Sequence, residues 1–243
     1  MASRPFIGTR AEGLCLVLFT ACTWGLTWPQ SKFLLTMLPP FSMRTVCGLA
    51  GGAFAFAIAA ARGDCVCQWD DDDRYHPSRL TIQWDAAQAQ GAAVCYLADQ
   101  LHWFRPDGLL FWDDWDREAY PMNLIQGSIL ARRDIMPPYP NLPRGEDTLQ
   151  THALLRAAAT NSFRIARLRG AGWCYTYTFH GGNVWEAEHH RAISAAKHLP
   201  PARLLPRLGE LRQRLAEYRP ALSALRMPVG TETVALIDPS AAS

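Results

Sequence analysis

Two long apolar runs open the chain, and shorter apolar and polar segments alternate after them. Residues 13–30 carry no charge, and a second run over residues 45–61 is rich in Gly and Ala. Pro39 and Pro40 separate the two runs and end the first helix. Each run is about long enough to cross a hydrocarbon core of ~30 Å as a helix. The pattern therefore predicts a two-helix membrane hairpin over residues 1–62, inserted through residues 13–61.

Basic residues flank this hairpin. Arg4 and Arg10 precede the first run and Arg62 follows the second. The positive-inside rule then places both ends, and everything after residue 62, in the cytoplasm, with the hairpin in the inner (plasma) membrane. A signal peptide fits less well, because no clear cleavage site follows the first run and a second run comes after it. A buried soluble helical hairpin is the other alternative, and the protein would then be cytoplasmic.

From residue 63 onward, the pattern predicts short strands and helices. The predicted strands are 66–69, 92–98, 100–104 paired with 108–112, 128–132 and 173–179. The predicted helices are 78–90, 148–159, 190–198 and a basic amphipathic helix over 203–218. We expect an α/β domain over residues 63–198, then the amphipathic helix and a loose tail over residues 199–243, with about the last fifteen residues irregular.

Composition excludes several classes of function. The net charge of +2 gives no overall nucleic-acid signature, so we expect no nucleic-acid partner. The seven cysteines are odd in number and lack a Cys-x-x-Cys pair, which indicates reduced thiols in a cytosolic setting. The sequence also lacks a Walker loop, a dinucleotide fingerprint and a Gly-x-Ser-x-Gly motif.

Four consecutive aspartates, residues 70–73, form what we call the acidic segment. Adjacent carboxylates repel one another, so a folded chain keeps them together only with a counter-charge. A hard divalent cation with oxygen ligands is the natural candidate. The segment follows a predicted strand, and open α/β sheets bind ligands beyond the carboxyl ends of their strands. The alternative is a solvated acidic turn.

The first part of the chain resembles the start of the EamA-type drug/metabolite transporters. The resemblance covers residues 10–60 and rests on the Trp-Gly pair at 24–25, Lys32, the prolines at 39–40, Arg44 and Gly48. It extends over about two helices only. It therefore implies a fragment, from which no working transport path can be built.

The remainder, residues 60–198, resembles the C-terminal two-thirds of a family 2 glycosyltransferase catalytic domain. The matching blocks are residues 61–77, 99–104, 127–133, 145–148 and 180–185, in the family's order. The resemblance implies an α/β fold, namely a truncated GT-A-like nucleotide-diphospho-sugar transferase domain preceded by an α-helical transmembrane hairpin. The family's opening strand, with its Pro-Thr-x-Asn-Arg-like segment, and the elements of the uracil and ribose pocket are missing.

The same resemblance assigns roles in donor binding. Asp70 and Asp72 take the Asp-x-Asp positions. Asp72 is expected to bind Mn²⁺ or Mg²⁺ directly, and Asp70 or Asp71 to face the nucleotide ribose. His180 is expected to reach the same metal, although a histidine beside glycines is also typical of an ordinary loop. Asp73 is expected to cap the following turn.

Acceptor-side roles follow in the same way. Asp147 is expected to act as the general base that deprotonates the acceptor hydroxyl, with Glu146 orienting the acceptor. The alternative is that both residues only cap the first turn of a helix. Residues 112–115 form an acidic aromatic loop that could stack on an acceptor sugar or lie in an exposed turn. His189 and His190 indicate a solvated helix start.

These features together predict an inverting, metal-dependent glycosyltransferase, or a catalytically impaired remnant of one. The donor would be a nucleotide-diphosphate sugar, with a uridine diphosphate sugar the first expectation. The acceptor hydroxyl could belong to a saccharide, a lipid or a protein. The alternative is a non-catalytic small membrane protein derived from an EamA-type transporter fragment.

Overall fold

A computed structural model describes residues 63–137, 140, 145–161 and 163–237. The predicted membrane hairpin and the transporter-like segment over residues 10–60 lie outside the described residues. Within the described ranges, no helix combines the length and the apolar character needed to cross a bilayer.

The described residues contain ten β-strands and five α-helices, joined by short 3-10 turns. The strands are β1 Cys65–Cys67, β2 Arg74–Tyr75, β3 Val94–Leu97, β4 Asp99–Phe104, β5 Leu109–Asp114, β6 Ile125–Arg132, β7 Ile165–Leu168, β8 Tyr175–Phe179, β9 Leu225–Val229 and β10 Glu232–Ile237. The helices are α1 Arg79–Ala89, α2 Glu146–Asn161, α3 Ala187–Lys197, α4 Pro201–Leu204 and α5 Leu208–Ala216.

Two sheets organise these strands. The first has the order β1-β6-β3-β7, in which β6 is antiparallel to both of its neighbours and β7 is parallel to β3. The second has the order β10-β9-β5-β4-β8-β2 and mixes parallel and antiparallel pairs. Only Ala98 separates β3 from β4, so one extended stretch of chain serves both sheets. This mixed α/β architecture is consistent with the GT-A-like domain that the sequence predicts.

The burial of β3 and β4 explains why this stretch lies at the centre. Every residue of both strands is buried, as expected for strands covered on two faces. On the first sheet, Ala87 of α1 packs with Cys95 and Ala166. On the second sheet, a larger apolar cluster joins strand residues such as Leu101 to α5 residues such as Leu211. Helix α5 covers its sheet through an apolar face, Leu208, Leu211 and Leu215, whereas the buried face of α1 includes the polar residues Arg79 and Gln83.

Several sequence-predicted elements are confirmed. Helix α1 lies one residue inside the predicted 78–90 range at each end, and β4 and β5 form the predicted hairpin. Helix α2 contains the predicted 148–159 range and begins two residues earlier, with Glu146 and Asp147 in its first turn. The first strand is Cys65–Cys67 instead of 66–69, because the chain turns away after its last pair with β6.

Three other predictions are wrong. Residues 112–115 do not form an exposed loop, because Trp112, Asp113 and Asp114 belong to β5 and are buried. The predicted helix over residues 203–218 is divided into α4, a 3-10 turn and α5, with Pro206 in the turn where its missing N–H breaks a continuous helix. Tail residues 232–237 are not irregular: they form β10, which pairs with β9 in a hairpin.

The C-terminal hairpin has a sequence signal that the prediction missed. Leu225, Met227 and Val229 are buried and alternate with less buried residues, the period-two pattern of a half-buried strand. Gly230, with a φ of 65°, makes the turn to β10. Pro228 within the run lowers its apparent strand propensity.

A buried polar cluster lies between α3 and the β4–β5 hairpin. His102 Nδ1 is 3.1 Å from Asp113 Oδ2, and the Ser194 hydroxyl donates to the same oxygen at 2.9 Å. His190 packs beside it, with its ring centroid 5.3 Å from that of His102, and is 2% exposed. The expected solvated helix start is thus wrong for His190, although His189 is exposed.

We expect the buried His190 ring to make stability depend on pH. Burial lowers the pKa of His190 to about 4, with contributions from His102 and His189, whereas in the unfolded chain the pKa is about 6.5. The unfolded state therefore binds more protons between these two values, and His190 lowers the free energy of unfolding as pH falls from about 6.5 to about 4. Urea denaturation at several pH values should show a smaller fall for His190→Phe than for the wild type.

The matched control for this measurement is His189→Gln, which changes an exposed neighbour on the same helix. Its pH dependence should follow that of the wild type. Equal pH dependence in the wild type and His190→Phe would contradict the assignment of this effect to His190.

Candidate functional site

The acidic segment lies in the turn between β1 and β2, and its four carboxylates have different surroundings. Asp71 and Asp72 are exposed, Asp70 is half-buried, and Asp73 is buried. The outward and inward positions separate the four charges, so the like-charge repulsion expected from the sequence is reduced. Each of the two inward-facing residues has hydrogen-bond partners of its own.

Asp73 anchors the acidic segment to β8. Its Oδ2 accepts a hydrogen bond from the Tyr175 hydroxyl at 2.6 Å, and its Oδ1 accepts one from the Thr178 backbone N–H at 2.8 Å. Burial raises the pKa of Asp73 well above its usual value, although these two hydrogen bonds oppose the shift. The expectation that Asp73 caps the following turn is therefore wrong, since both partners lie about a hundred residues later in the chain.

Asp70 is held beside β6 and faces other charged groups. Gln68 Nε2 donates to its carboxylate at 3.2 Å, and the Asp70 backbone N–H donates to the Tyr75 hydroxyl at 2.6 Å. The pKa of Asp70 is raised to about 6, mainly by burial; Asp72 and Asp147 contribute in the same direction, while Gln68 and Arg79 act in the opposite direction. Asp70 therefore lies within electrostatic range of both Asp72 in the acidic segment and Asp147 at the start of α2.

Arg79 supports the segment from beneath. It is fully buried; its Nε donates to Gln83 Oε1 at 3.0 Å, and its Nη1 donates to the Gln68 carbonyl at 3.2 Å. Its guanidinium lies 4.6 Å from the ring centroid of Tyr75 and 5.2 Å from that of Tyr175. Cation–π contacts of this kind stabilise a desolvated guanidinium by about 2 kcal/mol.

Asp72 and His180 meet across the fold. His180 Nε2 lies 3.2 Å from Asp72 Oδ2, although 108 positions separate the two residues. The Gly182 backbone N–H donates to His180 Nδ1 at 3.2 Å, so this pattern favours the tautomer with the proton on Nε2. In that tautomer His180 donates to Asp72. Coordination of a metal by Nε2 would require the proton to move to Nδ1 and would displace the Gly182 contact.

Asp147 and Glu146 lie in the first turn of α2, where the positive end of the helix dipole favours carboxylates. Asp147 Oδ1 accepts a hydrogen bond from the Thr148 backbone N–H at 2.7 Å, so Asp147 does help to cap the helix. The Thr148 hydroxyl donates to Gln126 Oε1 at 2.9 Å and ties this turn to β6. Gly127, the next residue of β6, lies against Asp70.

The structure thus brings together most of the sequence-predicted site. Asp72 contacts His180, and the charges of Asp72 and Asp147 both act on Asp70. Glu146 lies beside Asp147, and Asp71 is exposed on the same turn as Asp70. Among the described residues, no three His, Cys, Asp or Glu side chains form a ready-made metal cluster.

Sequence reasoning missed the residues that support this site. Arg79, Tyr75 and Tyr175 form an aromatic and cationic layer under the acidic segment. The burial of Arg79 had no apolar signal in the sequence, because two of the three residues on the buried face of α1, Arg79 and Gln83, are polar. The role of Tyr175 had no local signal, because its partner Asp73 is distant in the chain.

Comparison with known proteins gives one match. The model of glycosyl transferase family 2 matches residues 48–105, which supports a glycosyltransferase family 2 domain in this chain. The matched segment starts within the second apolar run and includes the acidic segment, α1, β3 and β4, but ends before Asp147 and His180. No curated protein matches the chain significantly. The comparisons do not show the transporter resemblance of residues 10–60.

We expect Gly127→Ala to disturb the packing around Asp70. A Cβ at this position would lie 3.0 Å from the Tyr175 hydroxyl and 3.6 Å from Asp70 Oδ2. Overpacking of this kind typically destabilises by about 1–3 kcal/mol. Urea denaturation should show this loss for Gly127→Ala, while Gly209→Ala should be neutral or stabilising because a Cβ there meets no atom within 4 Å and lies in a helix. Unchanged stability of Gly127→Ala would show that the Tyr175 and Asp70 contacts are adaptable.

Proposed function

We propose that this protein transfers a sugar from a nucleotide-diphosphate sugar to an acceptor hydroxyl, with inversion and with the help of a divalent cation. The proposal is supported chiefly by the meeting of Asp72 and His180 at 3.2 Å, next to an Asp70 that also lies within the influence of Asp147. The family 2 match over residues 48–105 adds independent support for the glycosyltransferase class.

The residues at Asp72 fit a Mg²⁺ or Mn²⁺ ion that binds together with a diphosphate. Mg²⁺ in proteins is commonly held by one or two carboxylates, with water and substrate phosphates as its other ligands. Asp72 is exposed and would be the direct ligand, so the lack of a third acidic or imidazole group among the described residues does not conflict with such a site. When bound, the ion supplies neutralisation of charge on the leaving diphosphate.

His180 can serve this site in two ways. In the hydrogen-bonding pattern of the structure, Nε2–H donates to Asp72 and orients its carboxylate. After a tautomer change, Nε2 could instead be a ligand itself. A glutamine at position 180 can still donate from its side-chain amide but replaces the imidazole, so it separates the two roles.

Asp147 is the proposed general base and Glu146 the proposed orienting group for the acceptor. Asp147 lies in the first turn of α2, within electrostatic range of Asp70, and already accepts one hydrogen bond at Oδ1. Its other oxygen can accept a proton from an acceptor hydroxyl. An inverting transfer needs a base on the face of the sugar opposite to the leaving group, which an acceptor-side carboxylate supplies.

On the donor side, Asp70 and Asp71 are the proposed contacts for the ribose, and a uridine diphosphate sugar is the proposed donor. Among the described strands, β1 pairs on one edge only, with β6. We therefore expect turnover to be low unless groups outside the described ranges complete the base and ribose side of the site.

The first prediction concerns donor binding. Titration calorimetry of the full chain with uridine diphosphate should show binding that requires Mn²⁺. Asp72→Asn should weaken this binding at least tenfold, because an amide is a poorer ligand for a hard cation than a carboxylate. Asp85→Asn, a change in helix α1 outside the acidic segment, is the matched control and should leave the affinity unchanged. Metal-independent binding in the wild type would contradict the proposed cation.

The variant His180→Gln assigns the role of the histidine in the same titration. Binding close to that of the wild type is expected if His180 orients Asp72 through a hydrogen bond. A loss as large as that of Asp72→Asn would identify the imidazole as a metal ligand. An increase in affinity would contradict both roles.

The next prediction concerns turnover. Asp147→Asn should reduce sugar transfer by about 10²–10⁴-fold, the usual contribution of a general base, because the carboxylate acts only as the acceptor hydroxyl loses its proton. Uridine diphosphate and Mn²⁺ binding should stay nearly unchanged. Glu146→Gln, the neighbouring carboxylate, should have the smaller effect on the rate. If Asp147→Asn weakened nucleotide binding as strongly as Asp72→Asn, its acceptor-side role would be wrong.

A further inference from the structure

A pocket of about 200 Å³ opens beside the second sheet, at the end of the β4–β5 ladder. Three aspartates and three arginines line it: Asp99, Asp114, Asp116, Arg169, Arg203 and Arg207. The acidic segment, Asp147 and His180 do not line it. The pocket is therefore distinct from the candidate site. The charge of a ligand that it could bind depends on which of its carboxylates and guanidinium groups are already paired.

The carboxylate of Asp99 is fully used by the protein. Its Oδ1 accepts a hydrogen bond from the Gly170 N–H at 2.7 Å, and its Oδ2 accepts one from Trp112 Nε1 at 2.7 Å and one from the Gly172 N–H at 2.8 Å. A Cβ at position 172 would lie 2.7 Å from Asp99 Oδ2, so the glycine is what allows this close approach. Asp99 therefore needs no external cation.

The other two carboxylates are paired as well. Arg203 Nη1 lies 2.5 Å from Asp114 Oδ2, and Arg169 Nε donates to Asp116 Oδ1 at 2.7 Å. Arg167 also pairs with Asp116. An arginine has five N–H donors, so Arg169 and Arg203 keep donors for a further partner after these contacts.

Arg207 provides the surplus charge. It follows Arg203 by one helical turn, donates from Nη1 to the Arg203 carbonyl at 3.1 Å, and lies 5.6 Å from the ring centroid of Trp112. No carboxylate pairs with it in the part of the chain that the structure describes. Arg167 pairs with Asp116 from outside the lining, so with it four guanidinium groups stand against three carboxylates around the pocket. A concave wall concentrates the resulting positive potential.

The size and the donors of the pocket define the kind of ligand. Sites for drug-sized ligands measure about 300–1,000 Å³, so this pocket is smaller than a nucleotide sugar would need. Planar guanidinium groups match the oxygens of a phosphate and can bind two of them at once. We propose that this pocket binds a phosphate group, held mainly by Arg207 with donors from Arg169 and Arg203, at a site separate from that of sugar transfer.

The test is titration of the full chain with inorganic phosphate at low ionic strength, followed by calorimetry. Saturable binding is expected for the wild type. Arg207→Gln should weaken it at least about tenfold, the usual effect of removing a hydrogen bond to a charged group. Arg207→Lys keeps the charge without the planar fork and should be intermediate. Thermal unfolding of each variant verifies that it is folded.

The matched control is Arg212→Gln, which removes an exposed arginine of α5 that donates to the Ala235 carbonyl outside the pocket. It should bind phosphate as the wild type does. No saturable binding in the wild type, or equal affinity in Arg207→Gln and the wild type, would overturn the proposal. The candidate donor site is tested separately, by the effect of Asp72→Asn on uridine diphosphate binding. If Asp72→Asn left that binding unchanged while Arg207→Gln weakened phosphate binding, the proposed function would fail and the phosphate site would stand.

The phosphate group could be free or carried by a lipid, and a second arm separates these sources. The full chain is sedimented with phosphatidylcholine vesicles with and without phosphatidic acid. If phosphatidic acid increases the amount of protein that sediments with the vesicles, and Arg207→Gln abolishes this increase, the ligand is a lipid phosphate. Saturable binding of inorganic phosphate without such an Arg207-dependent gain identifies a small soluble one.

Discussion

The buried guanidinium of Arg79 links the parts of the fold on which the acidic segment depends. It reaches the carbonyls of Gln68 before the segment and Gly127 on β6, and it lies against the rings of Tyr75 and Tyr175. Burying a charged group costs free energy unless hydrogen bonds and other contacts compensate for its lost hydration. Displacing any of these partners would leave the guanidinium poorly compensated, so its burial keeps them in place. Its positive charge also opposes the rise in the pKa of the nearby Asp70. The end of β1, β6 and β8 are therefore fixed relative to one another at the point where the carboxylates gather.

The four aspartates divide into structural and chemical members because of this support. Asp73 is buried and bonded to Tyr175 and Thr178, so it fixes the turn. Asp72 is exposed and, among the described residues, contacts His180, so its carboxylate remains accessible to a ligand. One anchored and one accessible carboxylate in adjacent positions give a site that is both rigid and open. Rigid placement is what binding of the leaving diphosphate in the proposed sugar transfer requires.

The second sheet uses its polar groups differently. Asp99 is saturated by three N–H donors, and Asp113 shares a buried cluster with His102 and Ser194. The Asp99 carboxylate is fully hydrogen-bonded, whereas in the second cluster Asp113 Oδ1 and His102 Nε2 are buried without a hydrogen-bond partner among the described residues. Buried polar contacts of this kind make a core specific, because breaking one leaves a desolvated group unpaired. They also hold the β4–β5 hairpin against α3 and against the loop after β7. At the arginine-lined pocket, Arg207 is an arginine that no carboxylate neutralises among the described residues.

The sequence by itself determined the local features and the order of the chemical groups. Pro77 and Gly91 bound the predicted α1, the local pattern predicts α2 and the β4–β5 hairpin, and four adjacent aspartates mark the acidic segment. Each of these signals lies within a short stretch of the chain. Only the tertiary structure decided which aspartate is buried and that Asp113 and His190 are internal. The proximity of Asp72 and His180 was expected from the family resemblance, but no local pattern indicates it. Those outcomes depend on partners tens to a hundred residues away. Burial and pairing across such distances are set by how the two sheets pack, which no local pattern encodes.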